Sequence, residues 1–360
     1  MASIEGTSGA DRILPDFLSA GVTSDSAEPG TQTGESNVID AGAGDDVVEA
    51  GDSGDDVHGG TGTDRITGNV GSDWLRGDAG SDLLIGGAGF FDVLDGGVGA
   101  DRMLGGDGLD FYVVDSYADV VFDDGTTPDD AFDVIVTNLN YTLSEHAGVE
   151  GLLLGDEFFG IGARPWTVYG GGNSHDNSII GNANSNVLNG KGGIDIVQGL
   201  EGNDLVLGGA GDDDTSGWEG KDVVRGQKGN DSVWGGADQD RLIGGRGNDT
   251  YFFNYVSESV PGAADVIACG DGAVAFENPG AAAGDLIWLP NALSPETASE
   301  ALGPFTFGGT GRNEVSCIDS GRDTLVRASV DDDPGFEFVI RIADGAVRAK
   351  AYTADDFFLG

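Results

Sequence analysis

The chain has 360 residues, with 17 basic against 63 acidic side chains, a formal net charge of −46, and 65 glycines. Four lysines and thirteen arginines exclude a basic nucleic-acid-binding face as its main business. Ten prolines and no three-residue glycine period exclude collagen, and 39% apolar residues on a fixed spacing argue against plain disorder. Something positive must neutralise the carboxylates, and a divalent metal is the obvious class.

Residues 1–40 form an N-terminal segment. Met1-Ala2-Ser3-Ile4-Glu5-Gly6 has neither a basic stretch nor an apolar run, so no Sec-type signal peptide is expected. Apolar runs are too short throughout for a membrane span. The half-copy Gly6-Thr7-Ser8-Gly9-Ala10-Asp11-Arg12-Ile13 announces the motif that follows.

Residues 41–114 repeat it. Asp46, Asp56, Asp64, Asp73, Asp82, Asp92, Asp101 and Asp110 are spaced ten, eight, nine, nine, ten, nine and nine apart, mostly with glycine two residues earlier. The positions two residues after them, read as inward-facing, are Val48, His58, Ile66, Leu75, Leu84, Leu94, Met103 and Tyr112. Residues 115–171 lose the glycines but keep strand character in Asp133-Val134-Ile135-Val136 and Leu152-Leu153-Leu154; this stretch is predicted to be a strand-rich spacer.

Residues 172–252 carry the stricter block. Asp195, Asp204, Asp213, Asp222, Asp231, Asp240 and Asp249 recur every nine residues, and Asn177 and Asn186 continue the frame upstream. Glycine stands five before each position (Gly190, Gly199, Gly208, Gly217 and Gly226 among them) and two before most (Gly193, Gly202, Gly211, Gly220 and Gly229). All ten prolines lie outside the two blocks, as continuous ladders that need every N–H require. Residues 253–360 are predicted to be a β-rich cap, ending in Asp355-Asp356-Phe357-Phe358-Leu359. Cys269 and Cys317 are too few for a disulfide scaffold, and both a pair and two free thiols remain open.

A nine-residue unit of this composition has a direct physical reading. Glycines permit a tight turn whose carbonyls point to one centre, and the aspartate adds the hard anionic oxygen that calcium prefers. A short strand follows, with one apolar side chain packed inward. Two units make one coil, so each turn stacks on the turn eighteen residues away. The expected fold is all-β: a parallel β-roll, or β-solenoid, with ions between stacked turns.

These residues resemble the RTX (repeats-in-toxin) haemolysin-type consensus, a calcium-binding nonapeptide repeat. The resemblance implies Ca2+ as the cofactor, held by the aspartates and turn glycines named above, with about eleven ions at most from counting stacked pairs. The segment Gly284-Asp285-Leu286-Ile287-Trp288-Leu289 and the chain end resemble the serralysin-type C-terminal region, which implies an uncleaved signal for type I secretion machinery and a secreted or cell-surface location.

No catalytic pattern accompanies the repeats. The three histidines, His58, His146 and His175, show no ligand spacing, and no Gly-x-Ser-x-Gly elbow occurs. Two functions are therefore expected to compete. One is a secreted calcium-binding structural, cell-surface or adhesion protein without enzymatic activity. The other is a calcium-dependent carbohydrate-binding or polysaccharide-modifying module that uses Trp74, Trp166, Trp218 or Trp234 to meet an extracellular polysaccharide.

Overall fold

The computed structural model describes residues 2–14, 17–18, 23–24, 36–123, 132–145, 148–155, 168–270, 275–276, 284–289, 306–307, 314–329, 336–344 and 349–358. His146 and Trp166 lie outside them. The chain divides into two compact units, 1–163 and 164–360. Among the described residues helix is confined to three short 3-10 turns, and no helix is long and apolar enough to cross a membrane.

In the first unit two long parallel sheets alternate along the chain, beside a small three-stranded one of Thr61–Gly62, Ala79–Gly80 and Val98–Gly99. One long sheet stacks Asn37–Gly42, Asp56–His58, Trp74–Arg76, Val93–Asp95, Phe111–Val114, Val134–Thr137 and Gly151–Leu154; the other stacks Val47–Asp52, Arg65–Val70, Leu83–Ala88, Arg102–Asp107 and Val120–Phe122. From Val47 to Val120 each strand of the two long sheets begins just after a turn aspartate. Its second residue faces inward, so Val48, Val57, Ile66, Leu75, Leu84, Leu94, Met103 and Tyr112 are all fully buried. The half-copy belongs to the same stack: Arg12–Leu14 pairs in parallel with Val47–Asp52, and the Asp11 amide donates to Asp46 Oδ1. The strands of the expected spacer continue the ladder, Phe111–Val114 pairing with Val134–Thr137 and that with Gly151–Leu154.

The second unit repeats the plan more strictly. One sheet stacks Ser178–Ile180, Ile196–Glu201, Asp214–Glu219, Ser232–Ala237, Thr250–Phe252, Leu286–Trp288 and Phe357–Phe358. The other stacks Val168–Gly171, Asn186–Gly192, Leu205–Ala210, Val223–Lys228, Arg241–Arg246, Asp265–Ala268 and Phe338–Ala343, and then turns antiparallel through Asp323–Ser329 and Glu314–Ser320. Ile179, Leu188, Val197, Val206, Val224, Val233 and Leu242 fill the interior. Thr215, the polar member of that row, is also buried, and its hydroxyl donates to the Ser232 carbonyl at 3.0 Å. Each block closes on a tyrosine. The hydroxyls of Tyr112 and Tyr251 accept the Gly105 and Gly244 amides, both at 2.9 Å. Cys269 and Cys317 are both free thiols.

One predicted frame position shifts. Asp55, not Asp56, takes the turn in the first block: Asp55 is buried, while Asp56 starts a strand and pairs with Arg76 at 2.8 Å. Val57 is therefore the inward residue, and His58 points outward to Asp78 at 3.2 Å. The spacing from Asp46 to Asp82 then becomes a uniform nine. Gly54, two before Asp56, misleads the reading; in the fold Ser53 adopts the left-handed φ of 81° needed two residues before Asp55.

Candidate metal sites at the turns

The turn aspartates form ladders in which every member is fixed at both ends. The amide of Asp204 donates to Asp222 Oδ1 at 2.7 Å, and the amide of Asp222 donates to Asp240 Oδ1 at 2.8 Å. The Asp222 carbonyl accepts the amide of Arg241 at 2.9 Å, so backbone and side chain lock each coil to the next. Asp195, Asp213, Asp231 and Asp249 form the companion ladder at the other edge through bonds of 2.9, 3.0 and 3.0 Å. In the first unit Asp46, Asp64, Asp82 and Asp101 form one ladder, and Asp55, Asp73, Asp92 and Asp110 the other. Partners stand eighteen residues apart, or nineteen where one residue is inserted before Asp92.

Oδ1 is thus satisfied; Oδ2 is not. The Oδ2 atoms of Asp46, Asp55, Asp64, Asp73, Asp82, Asp92 and Asp101 in the first unit, and of Asp195, Asp204, Asp213, Asp222, Asp231 and Asp240 in the second, are buried and accept no hydrogen bond. A buried anionic oxygen without a partner is costly, and a repeated row of them calls for a cation. In the second unit, and at Asp64, Asp73, Asp82 and Asp101, this oxygen faces the glycine five residues earlier; at Asp92, after the inserted residue, it faces Gly86, and Asp46 and Asp55 have Ala41 and Ala50 at that position. A Cβ on Gly208 would lie 2.6 Å from Asp213 Oδ2 and 2.9 Å from the Gly226 carbonyl oxygen, and one on Gly59 would lie 2.7 Å from Asp64 Oδ2 and 3.0 Å from Gly77 O. Gly190, Gly199 and Gly217 sit in the same way against Asp195, Asp204 and Asp222 and the Gly208, Gly217 and Gly235 carbonyls; Gly226 faces Asp231. Each cradle therefore brings together carboxylate and carbonyl oxygens, the donor chemistry of a hard divalent ion, with no nitrogen or sulfur.

Glycine serves a second purpose two residues before the aspartate. Gly193, Gly202, Gly211, Gly220 and Gly229 have φ between 111° and 141°, a region that side chains resist. Two left-handed residues per turn aim the carbonyls, and the residue four before the aspartate is the other: Lys191, Leu200, Trp218 and Gln227 all lie at φ of 76–83°.

Burial raises these carboxyls against ionisation. Asp46, Asp73, Asp82, Asp101, Asp213 and Asp222 are pushed up to about 6, Asp55, Asp195 and Asp204 to about 7, and Asp92, Asp231 and Asp240 to about 8. Loss of hydration is the main cause in each. The amide bond from the neighbouring coil opposes it, and carboxylates one coil away add to it at Asp92, Asp231 and Asp240.

The asparagine turns differ. The Oδ1 atoms of Asn177 and Asn186 accept the amides of Asn173 and Asn182, four residues earlier in their own turns, at 2.7 and 2.8 Å. They satisfy the turn internally and present no orphaned anion. The ladders also reach beyond the repeats. The amide of Asp110 donates to Asp133 Oδ1 at 2.7 Å and that of Asp240 to Asp265 Oδ1 at 2.8 Å, and both receiving residues hold a buried Oδ2 with no hydrogen bond. Their signal was present as Asp133-Val134-Ile135 and Asp265-Val266-Ile267, an aspartate with a buried apolar residue two later. Stretches of 22 and 24 residues separate them from the preceding ladder members, where 17 is usual, and break the nine-residue count.

No group of three or more His, Cys, Asp or Glu that could hold a metal occurs among the described residues. The cradles instead combine individual carboxylates with main-chain carbonyls. Of the tryptophans, Trp74 lies beneath Arg76, whose guanidinium is 5.2 Å from its ring centre, while Trp218 and Trp234 pack at 4.9 Å.

The family model described as "RTX calcium-binding nonapeptide repeat (4 copies)" matches residues 32–66, 58–90, 89–112, 180–215, 189–224 and 216–251. No curated protein matches the chain. Among solved structures, the AlgE6R3 subunit of the Azotobacter vinelandii mannuronan C5-epimerase is 24% identical with a TM-score of 0.27, over 52% of this chain and 80% of that one. The AlgE6R2 subunit of the same enzyme is 19% identical with a TM-score of 0.29, over 52% of this chain and 92% of that one. Turn geometry and family match agree, and the two blocks of this chain are RTX calcium-binding nonapeptide repeats wound as a parallel β-solenoid.

Proposed function

We propose that this is a secreted calcium-binding RTX protein that folds outside the cell and serves there as a structural, cell-surface or adhesion protein, with no catalysis of its own. The observation that carries it is the row of buried carboxylates with one unpartnered oxygen each. Calcium, when bound, supplies the missing positive charge and accepts hard oxygen ligands. The chain's own contribution is to hold Oδ1 through the neighbouring coil, to keep Oδ2 and the glycine carbonyls turned to a common centre, and to exclude water. With up to about eleven ions bound, roughly half of the formal charge of −46 is offset.

Extracellular calcium modules of this kind bind on the order of 10⁻⁴ to 10⁻³ M, a range that leaves the chain open inside a cell and closes it outside. That coupling supports export as an unfolded thread by type I secretion machinery. Circular dichroism and small-angle scattering in chelator and in millimolar calcium test the folding half of the proposal. An expanded chain that becomes β-rich with calcium is expected, and a spectrum indifferent to chelation overturns it. Deleting residues 354–360 tests the export half: retention in cells with a suitable exporter is expected, and undiminished export refutes it.

A further inference from the structure

The two sheets of the second unit differ in the charge they turn outward. The strands Asn186–Gly192, Leu205–Ala210, Val223–Lys228 and Arg241–Arg246 carry Lys191, Arg225, Lys228, Arg241 and Arg246 and not one Asp or Glu. The intervening strands of the other sheet, Ile196–Glu201, Asp214–Glu219 and Ser232–Ala237, carry Glu201, Asp214 and Glu219 and no Lys or Arg. In a chain with 17 basic and 63 acidic residues, five cations gathered on four adjacent strands without an acid are a marked segregation.

The arrangement works against the fold's own stability. Lys228 and Arg246 are register partners on adjacent strands, where like charges repel. Lys191, Lys228 and Arg246 are exposed, and among the described residues their side chains make no ion pair or hydrogen bond. Arg241 is exposed too and donates only a long bond, 3.4 Å, to the Cys269 carbonyl. Between these cations the half-buried Leu205, Leu207 and Val223 form an apolar strip.

We infer that this face binds an extended carboxylate-bearing polysaccharide laid across the coils, with Lys191, Lys228, Arg241 and Arg246 pairing its carboxylates and the aliphatic strip packing against the C–H faces of its rings. Charge spacing selects that partner. A chain of uronic acid sugars carries one carboxylate per ring, which suits cations set out along coils about 4.8 Å apart. Duplex DNA presents a charge every ~1.7 Å, several times denser than cations set one coil apart. The inference takes only the extracellular setting from the proposed function.

The test is calorimetric titration of the calcium-loaded full chain with a uronic acid oligomer too short to gel with calcium, at low and at high salt. Salt-sensitive binding is expected, about tenfold or more weaker in Lys228→Gln/Arg246→Gln and in Lys191→Gln/Arg241→Gln, and unchanged in Glu219→Gln on the opposite sheet. Dichroism in calcium checks the fold of each variant. Equal binding by both double variants, or equal binding of a neutral oligosaccharide of the same length, overturns the inference. So does wild-type protein that ignores the uronate and instead binds duplex DNA or self-associates at low salt. A chain that stays unfolded in calcium refutes the proposed function, whereas a folded chain that ignores the uronate refutes only this inference.

Discussion

Replacing Asp222 by alanine removes one rung from the middle of a ladder. The Asp204 amide, bonded to Asp222 Oδ1 at 2.7 Å, is left buried without an acceptor, which costs about 1–3 kcal/mol. The carboxylate facing the Gly217 cradle is lost as well, so the sites shared with Asp204 and Asp240 both weaken. If the total loss is ~3 kcal/mol and about five ions bind cooperatively in this block, the calcium midpoint rises about threefold and the transition broadens. Asp222→Asn separates the two effects. It can keep the acceptor oxygen and lacks the charge, and because burial pushes Asp222 up to about 6, a charged side chain there costs the metal-free fold on the order of 3 kcal/mol at pH 8. The asparagine variant should therefore need more calcium than wild type yet retain more β signal in chelator. Titrations followed by far-ultraviolet circular dichroism read both quantities. Midpoint and steepness identical to wild type in the alanine variant would refute the stacking argument.

The metal-free chain should respond to pH in a defined direction. Its ladder carboxyls have raised values, so the folded form holds protons more tightly than the unfolded one; the stability this provides is present in acid and is lost as pH rises through about 6 to 8. In chelator, dichroism should show β structure growing from pH 8 down to pH 5, and growth in the opposite direction contradicts the burial argument. Gly217→Ala should destabilise the calcium-loaded protein by about 1–3 kcal/mol in urea melts, because its methyl meets Asp222 Oδ2 and sits 2.6 Å from the Gly235 carbonyl. Gly192→Ala, whose methyl would have only Ala210 O nearby at 3.6 Å, should be tolerated, and equal effects at the two glycines would show that the cradle is not the cause. Asp55→Asn should raise the calcium midpoint while Asp56→Asn, which only loosens a half-buried contact with Arg76, leaves it in place; the reverse order would restore Asp56 to the frame.

The second block is legible in the sequence because spacing, glycine placement and apolar position all agree from Asp195 to Asp249. Where those signals conflict, one of them misleads. At Asp55 and Asp56 a glycine two residues back favours Asp56, but burial of Val57 decides the phase, since a one-residue slip would bury His58 instead. Asp133 and Asp265 keep the local pattern but stand off the eighteen-residue spacing, so their membership depends on a hydrogen bond across 23 or 25 residues that no periodicity announces. The tyrosines that close the blocks read as ordinary inward residues. That their hydroxyls accept a turn amide is seen only in the fold.

The offset between a nine-residue repeat and an eighteen-residue coil constrains how such a chain can lengthen. Duplication of eighteen residues inserts a whole coil and leaves every downstream strand in its own sheet. Duplication of nine moves each downstream strand to the opposite sheet. Placed after Asp204, it would carry the strands bearing Arg225, Lys228, Arg241 and Arg246 across to the side that now presents Glu201, and Trp218 and Trp234 the other way. The turns would still close, because all of them share one geometry, but the two surfaces would be scrambled. Growth in single repeats is thus open to the backbone and closed to any function that depends on which side of the solenoid a residue occupies.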